Sequence, residues 1–218
     1  MIRVGLTGGI AAGKSVACRF FQARGIPVLD YDQLARVVVE PGTRGLAAVV
    51  DAFSDAVLAD DGTLNRSKLA HVVFHDPEAL DRLEAIIHPL VIEEGQRLDA
   101  EAMSRGEWMI VHSIPLLVEA IGPDAFDVVL VIDAPPDVRV ARLVAERAMT
   151  EEEAWARIRA QSDDSVRLEV ADVILDGSGT VEELREQVEE WMDEAARAVP
   201  YRASSERTKF LVTEDWDG

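Results

Sequence analysis

The chain has 218 residues, 48% of them hydrophobic and 29% charged, enough for one sizeable core and too apolar for disorder over most of its length. Its 41 Asp and Glu against 22 Lys and Arg give a formal net charge of −19, which repels a phosphate backbone and argues against a nucleic-acid partner. No stretch reaches the roughly 18 apolar residues of a membrane span, the start lacks a signal-peptide layout, and the single cysteine, Cys18, can form no internal disulfide. The expectation is a cytoplasmic protein without a membrane partner.

"IRVGLT" (2–7) reads as a buried strand, and "KSVACRFFQARG" (14–25) as a helix with Val16, Ala17, Phe20 and Phe21 at helical spacing, ended by Gly25. "IPVLD" (26–30) reads as a second strand and "QLARVVVE" (33–40) as a helix closed by Pro41-Gly42. From 42 to 105 the pattern is helical, with a turn at "DDGT" and a helix opened by Asp76-Pro77. Its apolar stripe runs through Leu80, Leu83, Ile86, Ile87, Leu90 and Val91, and Pro89 is expected to break or kink it. Two nearly continuous apolar runs, "EWMIVHSI" (107–114) and "FDVVLVID" (126–133), read as buried parallel strands. Helices follow at 135–147 and 150–161, then a fifth strand, "ADVILD" (171–176). Thr180 and Glu183 have the spacing of a capping box for a last helix whose apolar face holds Val181, Leu184, Val188, Trp191 and Met192. The alternation predicts an α/β fold: a five-stranded parallel sheet with helices on both faces, a helical insertion covering a ligand, and a tail over 201–218 without a sustained period.

Between the first strand and the first helix stands "GLTGGIAAGKS". Gly8, four residues, then Gly13, Lys14 and Ser15 match the phosphate-binding loop pattern in its required strand-to-helix context. In such a loop successive backbone N–H groups form an anion-binding nest, and the helix N-terminus adds partial positive charge. Lys14 is expected to reach the β- and γ-phosphates of ATP, and the Ser15 hydroxyl to ligate Mg²⁺. The ATP-binding set is Gly8, Gly9, Ala11, Ala12, Gly13, Lys14, Ser15 and Val16. Were a positive φ required at Ala11, the alanine would be strained by about 1 kcal/mol or more. No spacing of His, Cys or carboxylates suggests a protein-held zinc site, so Mg²⁺ arriving with ATP is the one metal implied.

Phosphate binding does not by itself name a reaction. A Ras-type switch would need an Asn-Lys-x-Asp string, which is missing, and "DGSG" (176–179) comes too late to be a switch. Together, "GLTGGIAAGKS", "VLDYDQLARVVVEPG", "DGTLNRSKLAHVVF", "LEAIIHPLV", "IPLLVE" and "VADVILDGSG" resemble the blocks of the dephospho-coenzyme A kinase family in their order and spacing, over about residues 1 to 198. The resemblance implies a nucleoside-monophosphate-kinase-like core (1–41, 106–135 and 169–199), a substrate-binding insertion (42–105) and a lid (136–168), within a kinase domain of residues 1–200. It also implies transfer of the γ-phosphoryl group of ATP to the ribose 3′-hydroxyl of dephospho-CoA, the final step of coenzyme A biosynthesis, by a monomer. The alternatives are another P-loop kinase acting on a nucleotide or small metabolite, and a nucleotide-dependent switch. Ala11, Ser113 and Gly177 depart from the family's usual glycine, acidic residue and asparagine.

Among six arginines between 139 and 167, Arg142 is the leading candidate to stabilise the transferring phosphoryl group from the lid. Asp30 and Gln33 have capping-box spacing, which leaves Asp32 free for the crevice at the end of the second strand. By resemblance Asp32 orients the attacking 3′-hydroxyl and accepts its proton. His88, beside Pro89, either faces the substrate or makes a structural hydrogen bond.

Overall fold

The five apolar runs assemble as five strands of one parallel sheet: β1 (Ile2–Gly8), β2 (Val28–Asp30), β3 (Met109–Ser113), β4 (Val128–Asp133) and β5 (Val173–Asp176), in the order β2-β3-β1-β4-β5. The structure is a computed structural model that describes residues 1–74, 76–161 and 163–198; the tail expected at 201–218 lies outside the described residues. Val4 pairs with Val111 on one side of β1 and with Val128 on the other, and Ile132 of β4 pairs with Leu175 of β5. Parallel neighbours cannot be joined by hairpins, so each connection passes through helices, as the alternating pattern predicted. The expected fold class is borne out.

The chain divides into two compact units, residues 29–104 and the remainder, with β2 crossing from one to the other. In the sheet-bearing unit, helix α1 (Lys14–Ala23) follows the phosphate loop, and Gly25, with φ of 77°, comes just past its end. Ile2, Val4 and Leu6 alternate toward one face, where they meet Ala17 and Phe21 of α1. On the other face a β-carbon at Gly5 would stand 2.7 Å from Leu117 and 2.8 Å from Phe126, so that face is closed too.

The second unit holds α2 (Tyr31–Val37), α3 (Arg44–Phe53), α4 (Arg66–Phe74) and α5 (Pro77–Ser104). Helix α5 packs against the other three, over a core that includes Val39, Val49, Leu69, Val73 and Ala79, with Leu83, Ile86 and Ile87 of the predicted stripe against it. Asp76 caps α5 by accepting from the N–H groups of Glu78 and Ala79, as its place before Pro77 predicted. The expected break at Pro89 does not occur, because α5 runs through it without interruption. A proline removes one helical N–H, and the packing of a 28-residue helix on three neighbours outweighs that local loss. Helix α2 begins at Tyr31, where the capping-box spacing of Asp30 and Gln33 placed it, with Asp30 as its cap.

After β3 the sheet-bearing unit continues with the short α6 (Leu117–Ala120), then α7 (Pro136–Arg147), α8 (Glu151–Arg159), α9 (Asp164–Glu169) and α10 (Val181–Ala198). Neither α6 nor α9 is legible in the hydrophobic period, since four- and six-residue helices show too few turns. The expected box is present at the start of α10: Thr180 Oγ1 accepts from Glu183 N–H, and Glu183 Oε2 accepts from Thr180 N–H at 2.7 Å. Of the predicted apolar face of α10, Leu184, Val188, Trp191 and Met192 are buried, with Trp191 edge-on to Phe21 at 6.0 Å, whereas Val181, the first residue of the helix, is exposed.

Candidate active site

The phosphate loop leaves β1 at its C-terminal end, where the sheet's open crevice lies in folds of this kind. Gly13, the residue before α1, has φ of 119°, a conformation that L side chains rarely adopt. It turns the chain so that Val16 and Ala17 donate back to its carbonyl at 2.9 and 3.0 Å. The N–H groups of Lys14 and Ser15, in the first turn, have no preceding turn of α1 to bond, and so point out of the helix end. Ser15 is exposed and Lys14 half-buried. Ala11 has φ of 60°, so the strain foreseen for an alanine at this place is present.

Three further contacts hold this loop. Lys14 Nζ donates to Ser113 Oγ at 2.7 Å, from a buried hydroxyl position at the end of β3. Ile10 N–H donates to Gln161 Oε1 at 2.8 Å. Arg142 donates through Nη1 to the carbonyls of Ala11 (3.2 Å) and Ala12 (3.4 Å), and through Nη2 to those of Ser178 (3.3 Å) and Gly179 (3.0 Å). One guanidinium, half-buried, thus ties the phosphate loop to the loop between β5 and α10. Asp176, at the start of that second loop, accepts from Ser178 N–H at 2.7 Å. Hydrogen bonding by Ser178, with Arg142 contributing, holds its carboxyl below the usual range.

The expected site residues therefore separate into two groups. Gly8, Gly9, Ala11, Ala12, Gly13, Lys14, Ser15, Val16 and Arg142 lie together in the sheet-bearing unit. Asp32 and His88 lie in the helical unit, both exposed, on α2 and α5, which pack on each other. Asp30 Oδ1 accepts from the N–H of Asp32 at 3.0 Å and of Gln33 at 3.4 Å, so Asp30 is occupied as a cap and Asp32 is not. Sequence reasoning assigns no role to Ser113 or Gln161. Ser113 stands out only as a departure before "IPLLVE", and Gln161 carries no signal.

The dephospho-CoA kinase family model matches residues 2–183. The chain belongs to the dephospho-CoA kinase family. It is a kinase, as the resemblance implied. A dephospho-CoA kinase of Cutibacterium acnes is 49% identical over 202 residues, covering 92% of this chain and 87% of that protein. The solved structure of a Thermus thermophilus protein superposes with a TM-score of 0.73 at 34% identity, over 88% of this chain and 97% of that one. A dephospho-CoA kinase from Campylobacter jejuni has the same fold, with a TM-score of 0.68 at 23% identity over 90% of this chain and 98% of that one. Against this family background, Ser113 gives Lys14 a neutral hydroxyl partner, and Gly177 brings the β5–α10 loop down on the phosphate loop. A β-carbon at 177 would overlap the Ala12 carbonyl and stand 2.8 Å from Ile132.

Proposed function

We propose that this kinase transfers the γ-phosphoryl group of ATP to the ribose 3′-hydroxyl of dephospho-CoA, with ATP on the phosphate loop and the acceptor held by the helical insertion. The observation that carries the reading is the loop itself, with the Lys14 ammonium at the end of β3 and the free N–H end of α1 beside it. On ATP binding, Lys14 exchanges the Ser113 hydroxyl for β- and γ-phosphate oxygens, a charge-assisted bond in place of a neutral acceptor. Arg142 acts in the same sense: redirecting one N–H from a loop carbonyl to a phosphoryl oxygen places its charge where negative charge develops. Residues 136–168 form the lid that carries it. Asp32, free of capping duty, orients the 3′-hydroxyl and accepts its proton, and His88 contributes to the acceptor site.

The donor set fits Mg²⁺. Among the described residues no cluster of three or more His, Cys, Asp or Glu could hold a metal ion, and Mg²⁺ is commonly held by substrate phosphates, water and one or two protein oxygens. The exposed Ser15 hydroxyl supplies such an oxygen, and the bound ion would neutralise charge on the phosphates. The enzyme acts as a monomer in the cytoplasm, without a nucleic-acid or membrane partner; among the described residues no helix is long and apolar enough to cross a membrane.

The deciding experiment supplies ATP and Mg²⁺ with dephospho-CoA, AMP, UMP or shikimate in turn and measures ADP. Turnover is expected with dephospho-CoA. Turnover with AMP and none with dephospho-CoA would overturn the reading.

A further inference from the structure

Arg139 on α7 is buried, with 2% of its side chain exposed, although a guanidinium is costly to remove from water unless it is well paired. Its Nη2 donates to Asp164 Oδ2, and Arg167, with 4% of its side chain exposed, donates to Asp164 Oδ1. One carboxylate thus serves two guanidinium groups, and the trio keeps one positive charge. The buried Nε of Arg139 has no hydrogen-bond partner among the described residues. Its Nη1 is seated against Gly9: a β-carbon there would overlap Nη1 and stand 3.1 Å from Cζ. Gly9 is therefore needed for the space the guanidinium occupies. An apolar side chain would fill this position at less cost, so packing alone does not account for the arginine. What it adds is charge, delivered beside the second glycine of the phosphate loop in a chain of net charge −19.

We propose that Arg139 is a positioning residue for the phosphate loop. By contact it holds Gly9, and the net positive charge of the Arg139–Asp164–Arg167 trio favours the terminal phosphates of a nucleoside di- or triphosphate from behind the loop. Asp164 sets the size of that charge by dividing itself between Arg139 and Arg167. The inference rests on the reading of the loop as the ATP site.

The test is calorimetric titration with ATP and with ADP at two salt concentrations, on the unsubstituted chain, Arg139→Gln, Arg139→Lys and Asp164→Asn, with thermal unfolding of each. Arg139→Gln is expected to weaken ATP and ADP about tenfold, whereas Arg139→Lys, which keeps the charge, stays within about threefold of the unsubstituted chain. Asp164→Asn removes the shared carboxylate and is expected to tighten ATP about threefold even as it lowers the melting temperature, a sign that a purely structural role would not produce. If Arg139→Gln fails to fold, Asp164→Asn carries the test. The proposal is overturned if Arg139→Gln binds ATP normally, if Arg139→Lys loses as much as Arg139→Gln, or if Asp164→Asn fails to tighten ATP. Failure of the unsubstituted chain to bind ATP at all would overturn the nucleotide reading and this inference with it.

Discussion

Adjacent alanines in the phosphate loop should respond to glycine with opposite signs. Ala11 has φ of 60°, where a β-carbon costs about 1–2 kcal/mol. Ala12 is not among the residues with positive φ, and it is 1% exposed. Ala11→Gly relieves the strain, less about 0.4–1 kcal/mol for the added freedom of the unfolded chain. It also loses part of a methyl contact with the Val140, Leu143 and Ala154 cluster, about 0.4 kcal/mol for a half-buried group. The net expectation is a gain of about 0.5 kcal/mol. Ala12→Gly has no strain to relieve and forfeits a fully buried methyl, about 0.8 kcal/mol, plus a similar entropic cost, for a loss of about 1.5 kcal/mol. In a chain of this length each kcal/mol shifts the melting temperature by roughly 2–4 °C, so the two variants should melt about 4–8 °C apart. Differential scanning calorimetry without nucleotide reads the gap. If Ala11→Gly falls as far as Ala12→Gly, φ at residue 11 is not the source of strain in the loop.

Lys14→Ala should lower kcat by at least about 10²–10³-fold while the melting temperature stays nearly unchanged, since the lysine is tied to the fold by the 2.7 Å bond to Ser113, a neutral acceptor; near-normal turnover removes Lys14 from the phosphate site. Asp32→Asn should cost roughly two orders of magnitude in kcat with ATP affinity kept, whereas Asp30→Asn, a cap of equal quality, should leave stability within a few tenths of a kcal/mol. Steady-state kinetics with inactive Asp30→Asn and active Asp32→Asn would exchange the two roles. Glu153 and Glu183 are held below their usual range by backbone and hydroxyl hydrogen bonds of Thr150 and Thr180, so their contribution is complete above about pH 4.3 and is lost as pH falls further through the depressed values. The melting temperature should be flat in mildly acid buffer and fall below about pH 4.3, less steeply in Glu183→Gln; an equal slope in that variant would dismiss the capping carboxylate as a contributor.

Long-range order was more legible than local detail. Five apolar runs separated by helical periods imply a parallel sheet, because buried strands need apolar side chains on both faces. Gly13 announced the turn into α1, because its φ of 119° is a conformation that favours glycine. Pro89 does not end the helix because one missing helix bond is a local penalty, while the packing that outweighs it belongs to α2, α3 and α4. Gln161 and Ser113 could not be read as loop contacts, since each meets the loop across a long sequence separation and neither spacing nor composition encodes such a meeting. For Arg139 the sequence offered one arginine among six; its burial beside Gly9 depends on how α7 and α9 come together.

The place of β1 between β3 and β4 has a consequence for the order in which the molecule is made. Ile2 finds its partner in Met109, and Gly8 finds its partner in Ile132. At about 5–20 residues per second, an emerging chain carries its first strand with both edges open for several seconds at least. The helices of residues 29–104, whose contacts are near in sequence, are complete before either neighbour of β1 exists. Ribosome-bound chains halted short of Met109 should therefore protect the helical segment from protease while β1 is still cut, and protection of β1 should appear only in chains that extend past Asp133. The phosphate loop, encoded ahead of both strands that flank β1, would then be among the last parts of the enzyme to take shape.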